Sequence, residues 1–414
     1  MRRAAILPGL AVLAVLAGLA AGMLAAFAAG PAASGRPEGS GLVAGLGSAP
    51  PSSAPSSTPG GSTAGPSATA SAGPTPSASP SSRPPSPTPA AEAKVPDPLT
   101  GRLVSRFVAE RHPIAVMIDD LSPARPQSGF SAASIVWQAP AEGGIPRYMM
   151  IFQESIPGDV GPVRSSRYYY VAWAAELRAL YAHSGGSPQA LAALRAQGNG
   201  QLVWNADEFR WGGTFRRIGS RLPPHNLYTT GSQLRELARR VGAKDAPIKW
   251  PWRFGRDAAL GYRPVGGRIV VQYGDVNRIQ YDYDRKSNTY RRSVTGEKRQ
   301  VDAATKRRVA PKNVVIMVMR FGPLNDSNPA KRRLEAQFLG SGPAWIATNG
   351  VTIKGTWRKT SLTGATRFFD AHGRPVTLTV GQTFVQVMKT TDFIKITPGK
   401  PAPPHPFRAG PRPT

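Results

Sequence analysis

Residues 113–129 read PIAVMIDDLSPARPQSG. Ile114-Ala115-Val116-Met117-Ile118 is a continuous apolar run of strand length that ends on Asp119-Asp120. Arg125, Gln127 and Ser128 follow in a proline-punctuated loop. A strand that delivers two carboxylates into a loop suits a layered α/β fold, where ligands gather at strand ends.

The pattern continues downstream. Ser134–Gln138, Arg147–Phe152 and Ala179–His183 read as further strands. Tyr168–Leu177 is too long and Ala-rich for a strand and predicts a helix. Ser187-Pro188 predicts another, because Ser caps free N–H groups and Pro tolerates the first helical position; Gly198 ends it. Leu234, Leu237, Ala238 and Val241 recur at helical spacing before Gly242. Strand and helix alternation predicts an α/β domain over 96–260.

Residues 261–398 predict a mainly antiparallel β domain. Arg268–Gly274, Arg278–Asp284, Thr289–Val294, Asn313–Phe321, Leu334–Leu339, Ala344–Thr348, Val351–Lys359 and Thr383–Met388 are strand-length and rich in β-branched and aromatic residues. Asn349-Gly350 and His372-Gly373 supply turns. The Pro-rich residues 399–414 predict a disordered tail.

The start of the 414-residue chain has a different composition. Residues 4–29 carry no charge and follow Arg2-Arg3. About 20 apolar residues cross a bilayer as a helix, and the arginine pair holds the N-terminus in the cytoplasm. Residues 1–30 are therefore a transmembrane anchor or a signal segment. Ala26-Phe27-Ala28 offers a cleavage site, which would make the protein secreted, but the length of the run favours a single-pass anchor. Residues 31–95 are almost all Pro, Ser, Ala, Gly and Thr, a composition that predicts a disordered spacer. The folded domains are then extracytoplasmic. No cysteine is present, which excludes disulfides, thiolate metal sites, cysteine nucleophiles and lipid-modified cysteine.

The net charge of +28 is unevenly spread. Residues 96–260 hold 20 Lys and Arg against 13 acids, and residues 261–398 hold 24 against 9. Basic residues such as Lys306, Arg307, Arg308, Lys331, Arg332 and Arg333 fall between strands of the second half. Outside a membrane the partners of such a surface are anionic wall polymers or lipids. No nucleic acid is expected, since neither an aromatic-basic RNA motif nor a zinc-finger spacing occurs.

Polar residues gather at the predicted strand ends: Asp119, Asp120, Glu142, Arg164, Arg167, His183 and His225. Each also has an ordinary structural reading, as a turn cap, an ion pair or a hydrogen-bonded histidine. Ser184 and Ser187 are poor nucleophiles, because Ser-Gly-Gly-Ser is not the Gly-x-Ser-x-Gly elbow.

PIAVMIDDLSPARPQSG, APAEGGIPRYMMIFQ (139–153), VGPVRSSR (160–167), YAHSGGSPQAL (181–191) and PPHNLYT (223–229), in this order, resemble the YerB-like family of extracytoplasmic bacterial lipoproteins. GTWRKTS (355–361) and TRFFDAHGRPVTLTVGQTFVQV (366–387) resemble its C-terminal domain. The resemblance implies a two-part architecture over roughly 96–390 and no established activity. The family's anchoring cysteine is absent here. Trp137-Gln138 stands where the family often has an aromatic-acid pair.

Three functions compete. The first is phosphoryl transfer or hydrolysis on a phosphate-bearing envelope precursor, with Asp119, His183 and His225 as candidate catalytic groups. Arg125, Arg147, Arg164 and Arg167 are its anion-binding candidates, as forked donors. Asp119 and Asp120 are its candidate ligands for a divalent cation such as magnesium. Part of residues 110–200 is similar to the LytR-CpsA-Psr phosphotransferases in layout, although that family's arginine pattern is not reproduced. The second is a non-catalytic module that binds a wall polymer or a protein. The third is a glycan hydrolase with Glu142 as acid.

Overall fold

The computed structural model describes residues 93–275 and 277–402. The charge-free run, nearly all of the spacer and most of the tail lie outside the described residues. Among the described residues no helix is long and apolar enough to cross a membrane.

Ten strands build the main sheet. From the first half come β1 (Ile114–Asp119), β2 (Ile135–Pro140), β3 (Pro146–Phe152), β4 (Leu180–His183) and β5 (Trp204–Asp207). Helices α1 (Tyr168–Ala175), α2 (Pro188–Gln197) and α3 (Gly231–Val241) also belong to this half. The second half opens with β6 (Arg268–Tyr273), β7 (Asn277–Asp284) and β8 (Thr289–Val294). It continues with β9 (Asn313–Met319), β10 (Gly340–Thr348), β11 (Val351–Lys359), β12 (Arg367–Asp370), β13 (Thr383–Lys389) and β14 (Phe393–Thr397). The main sheet runs β12-β11-β10-β9-β13-β2-β3-β1-β4-β5, and a four-stranded sheet runs β8-β7-β6-β14.

The two halves share the main sheet. β13 pairs in parallel with β9 and, on its other side, with β2, where Thr383 faces Ile135 and Gln386 faces Gln138. β1, β4 and β5 are mutually parallel, so their C-terminal ends lie along one edge of the sheet. The molecule is mostly β-sheet with few helices, which corrects the weight given to α/β layering in residues 96–260. In the second half most strand pairs are antiparallel, and β9 and β13 run in parallel. Lys400 pairs with Val265, so order continues into the segment expected to be a tail.

Continuous apolar runs form the central strands because both faces of the sheet are covered. One face carries Ala115, Met117, Trp137 and Met149 against α1, where Trp137 stacks on Trp173 at 4.7 Å. The other carries Val116, Ile118, Val136 and Met150 against Ile269, Val271, Tyr281 and Tyr290 of the small sheet, and against Leu234 and Leu237 of α3. Burying a large apolar side chain contributes roughly 1.5–3 kcal/mol, so both layers matter to stability.

Local signals fix the ends of elements. Ser187 Oγ accepts from Ala190 N–H and caps α2, and Gly242 closes α3 in the left-handed region. The β10–β11 turn holds Asn349 and Gly350 at φ 50° and 78°, the double positive φ that a tight hairpin needs.

A polar seam lies between the two sheets. The Arg292 guanidinium, fully buried, donates to Gln138 Oε1 at 2.6 Å and to Tyr281 Oη at 2.9 Å. Gln138 in turn donates to Asp120 Oδ2 at 2.5 Å. The glutamine thus joins a cation on the small sheet to an anion on the large one.

Candidate functional site

The site lies where β1, β4 and β5 end. Asp119 is the last residue of β1. Beside it runs the segment 160–164: Asp119 N–H donates to Pro162 O at 2.9 Å, and Arg164 N–H donates to Met117 O at 2.9 Å. Gly161 permits this approach, since a Cβ there would sit 2.7 Å from the Tyr228 ring and 2.9 Å from Leu227 O. On its far side the segment is held by the strand Leu227–Thr230, through Val163 N–H to Leu227 O at 2.7 Å. That strand carries His225 and Asn226 at its entrance.

These contacts bring Asp119, Arg164 and His225 together. His225 Nδ1 lies 2.7 Å from Asp119 Oδ2, and Arg164 Nε lies 3.0 Å from the same oxygen. A carboxylate only accepts, so the imidazole proton sits on Nδ1 and Nε2 faces away from Asp119. Burial alone would raise the Asp119 carboxyl, but the His225 hydrogen bond and the Arg164 charge outweigh it and hold it below the usual value. Among the described residues, His225 Nε2 and all three guanidinium nitrogens of Arg164 have no hydrogen-bond partner, Nε meeting Asp119 only as an ion pair. Burial pulls Arg164 below the ordinary arginine value; Asp119 opposes this, and Arg147 and Arg217 add to it.

Arg217 and Glu208 complete the cluster. Arg217 donates to Glu208 Oε1 at 2.8 Å and to Asn226 Oδ1 at 3.1 Å, and Ser184 Oγ donates to Glu208. Neither charged residue was singled out by sequence. No motif marks them, and only the register of Arg217 against Leu227 brings them beside His225.

The other candidates are occupied elsewhere. Arg147 and Arg167 both clamp Glu142: Arg147 donates to Oε1 at 2.7 Å, and Arg167 Nε donates to Oε2 at 3.1 Å. Arg147 Nη1 donates to Ser165 O and Arg167 Nη1 to Ser166 O. Neither is a free anion donor. Burial would raise the Glu142 carboxyl, but the two guanidinium groups hold it far below the usual range. A general acid must carry its proton at working pH, so this geometry removes the basis for Glu142 as a glycosidase acid. Arg125 is spent on Asp120, Thr295 O and Asn277.

His183 is fully buried, with its ring nitrogens 2.8 Å from Gly185 O and Asn205 Oδ1. It fastens the β4 loop and does not reach the Asp119 cluster.

Asp120 is buried among Arg125, Gln138 and Asn277 donors. Asp119 faces a guanidinium and an imidazole. Among the described residues no three acids or histidines gather to hold a metal ion. The donor set therefore does not fit magnesium.

The local balance is four arginines, 147, 164, 167 and 217, against three carboxylates, 119, 142 and 208. Of these arginines, Arg164 alone has both terminal nitrogens uncommitted among the described residues. A second basic region lies on the small sheet. There a groove of about 520 Å³ is lined by Arg278, Gln280, Ser293, Thr295, Lys298 and Arg308, with Asp282 and Glu297 also present.

Comparison with known proteins follows the same division of the chain. Residues 99–244 match the family described as "Protein of unknown function (DUF3048) N-terminal domain", and residues 269–385 match its C-terminal domain. A relative named "Putative lipoprotein YerB", from Bacillus subtilis (strain 168), is 29% identical over 324 residues, spanning 74% of this chain and 90% of that protein. The crystal structure of the YerB protein from Bacillus subtilis superposes with a TM-score of 0.65 at 30% identity, over 73% of this chain and 100% of that one.

Proposed function

Because the chain belongs to the YerB-like family, whose two domains are described as of unknown function, we propose a role from the site itself. The protein is a membrane-associated, extracytoplasmic envelope protein that binds a phosphate-bearing ligand at Arg164 and His225. The observation that carries the reading is the Arg164 guanidinium. Its Nε stands 3.0 Å from Asp119 Oδ2 as an ion-pair contact without a hydrogen bond, and its two terminal nitrogens have no acceptor among the described residues, beside an imidazole with an uncommitted Nε2. A planar fork of donors matches phosphate oxygens, and an added anion would offset the burial that disfavours this charge.

The location rests on the lipoprotein relative and on the charge-free run after Arg2-Arg3. With no cysteine to lipidate, the run itself serves as the tether. Protease added to intact wall-less cells removes the folded part if it faces outward; protection of that part would refute the topology.

Calorimetric titration with glycerol phosphate tests the site. Wild type binds; Arg164→Ala, checked to be folded by circular dichroism at the titration temperature, does not. Binding retained by Arg164→Ala refutes the reading.

A second reading, phosphoryl transfer, is favoured by the Asp119–His225 contact. Asp119 is then a positioning residue that orients the ring, and His225 Nε2 is the proton-transfer atom. Its signature is a His225→Gln variant that still binds phosphate but loses turnover of a phosphomonoester.

A further inference from the structure

Two apolar side chains close in sequence to residues of this site lack the burial their chemistry calls for. Leu222 is 82% exposed and Phe209 is 78% exposed, the highest values for large apolar residues among the described residues. Single exposed apolar residues are ordinary. These two, however, belong to the segments that assemble the site.

Phe209 follows Glu208, the carboxylate that holds Ser184 and Arg217. Its ring lies 3.6 Å from the position a Cβ would take on Gly185, in the loop after β4. Leu222 opens the turn that ends on His225, whose N–H donates to Leu222 O at 3.0 Å. Arg221 fastens that turn to the loop after β1, donating to Pro123 O at 3.0 Å and Pro126 O at 2.6 Å. Both apolar groups therefore stand on anchored backbone, and Arg217 ties their two segments together through Glu208 and Asn226.

We infer that the ligand is a lipid phosphate, its headgroup on Arg164 and His225 and its apolar chain across Phe209 and Leu222. The inference rests on the phosphate-binding reading above and deepens it. A free phosphate or a polymer phosphate needs Arg164 and His225 and gains nothing from the apolar pair. A purely apolar partner needs the pair and leaves Arg164 uncompensated. Only a ligand with an anion joined to a hydrocarbon chain satisfies both, and such molecules are concentrated at the membrane surface.

The solved relative is matched over its whole length by 73% of this chain, so a part of that extent folds without the N-terminal run. Residues 93–402 are titrated by calorimetry with three probes. These are glycerol phosphate, dihexanoyl phosphatidic acid below its micelle concentration, and dihexanoyl phosphatidylcholine. Wild type binds the phosphatidic acid roughly tenfold or more tighter than glycerol phosphate, the gain expected from covering one large apolar side chain. A Phe209→Ser, Leu222→Ser double variant loses that gain, keeps its affinity for glycerol phosphate and melts as wild type does, since both positions face solvent. Arg164→Ala loses both phosphate ligands.

Equal affinity of wild type for glycerol phosphate and phosphatidic acid overturns the inference while the phosphate site stands. So does a double variant that keeps the preference. Equal binding of phosphatidylcholine, whose phosphate is masked by choline, also overturns it. Absence of binding by any phosphate probe refutes the underlying reading as well.

Discussion

Lys359 and Glu176 form an ion pair with both side chains fully out of solvent, Nζ to Oε1 at 2.8 Å. The ammonium sits on β11 and the carboxylate at the end of α1, so the pair joins the two family segments. Glu176 also accepts from Thr366 N–H at 3.0 Å and Thr366 Oγ at 2.6 Å. Burial raises the Glu176 carboxyl and lowers the Lys359 ammonium, so neither charge is comfortable without the other. Lys359→Met strands the carboxylate, which escapes by taking up a proton. From an ordinary value of 4.5, protonation at pH 7 costs about 3.4 kcal/mol, at about 1.36 kcal/mol per pH unit. The expected loss is therefore about 3–4 kcal/mol at pH 7, consistent with breaking a buried pair.

The sign of the pH effect follows. In the variant the folded carboxyl holds its proton above the unfolded value, so stability falls as pH rises from 4.5. The penalty should shrink to about 1 kcal/mol at pH 5. Urea denaturation of wild type and variant at pH 5 and pH 7 measures it. Glu176→Gln with Lys359→Met should regain most of the loss, because no lone charge remains. A loss under 1 kcal/mol, or one equal at both pH values, would refute the reasoning.

Other expectations concern separate regions. Burial, with Glu154 nearby, pushes the Asp97 carboxyl up to about 6, against an ordinary 3.8; the folded state thus keeps this proton longer, and its contribution to stability is lost as pH rises from about 4 to 6. Asp97→Asn should therefore melt higher than wild type at pH 8, with the gap closing by pH 4, and a pH-independent difference would contradict the assignment. Gly350→Ala adds a Cβ 2.3 Å from the Tyr283 ring at φ 78°, and a loss of about 2 kcal/mol or more is expected in denaturant. If the basic groove of the small sheet binds wall polymer, Arg278→Ala with Lys298→Ala should lower affinity, and added salt should weaken binding to wild type; salt-independent binding would exclude a contact of this kind.

What could be read beforehand was local. The run 114–118 and the Ser187-Pro188 start each depend on neighbours in sequence, and the elements formed there. The partners of β13 were not legible, because TFVQV has the same pattern whichever strands flank it. Its pairing with β2 joins residues 383–386 to 135–138, a choice made by packing over the whole sheet. The site followed the same division. The strand-end rule grouped Asp119, Arg164 and His225, which meet, but also Arg167 and His183, which have partners of their own. Competition for a donor depends on what lies between two residues in space, so Glu142 could not be seen to take Arg147 and Arg167. Arg217 escaped notice because its importance comes only from pairing beside His225.

The position of β13 constrains when the molecule can take shape. A strand near the C-terminus lies at the middle of the main sheet, so the strands on either side, β2 and β9, cannot be joined without it. Until residues 383–389 are available, β2 and β9 each present a bare row of backbone donors and acceptors, the kind of edge that recruits other chains. Pairing of this separation is also slow to form. If the chain is exported before it folds, the delay is useful: the nascent protein stays threadable until its last strands emerge. The same delay makes the unfinished chain a substrate for holding chaperones on the far side, and it predicts that loss of the final thirty or so residues yields aggregates rather than a smaller folded protein.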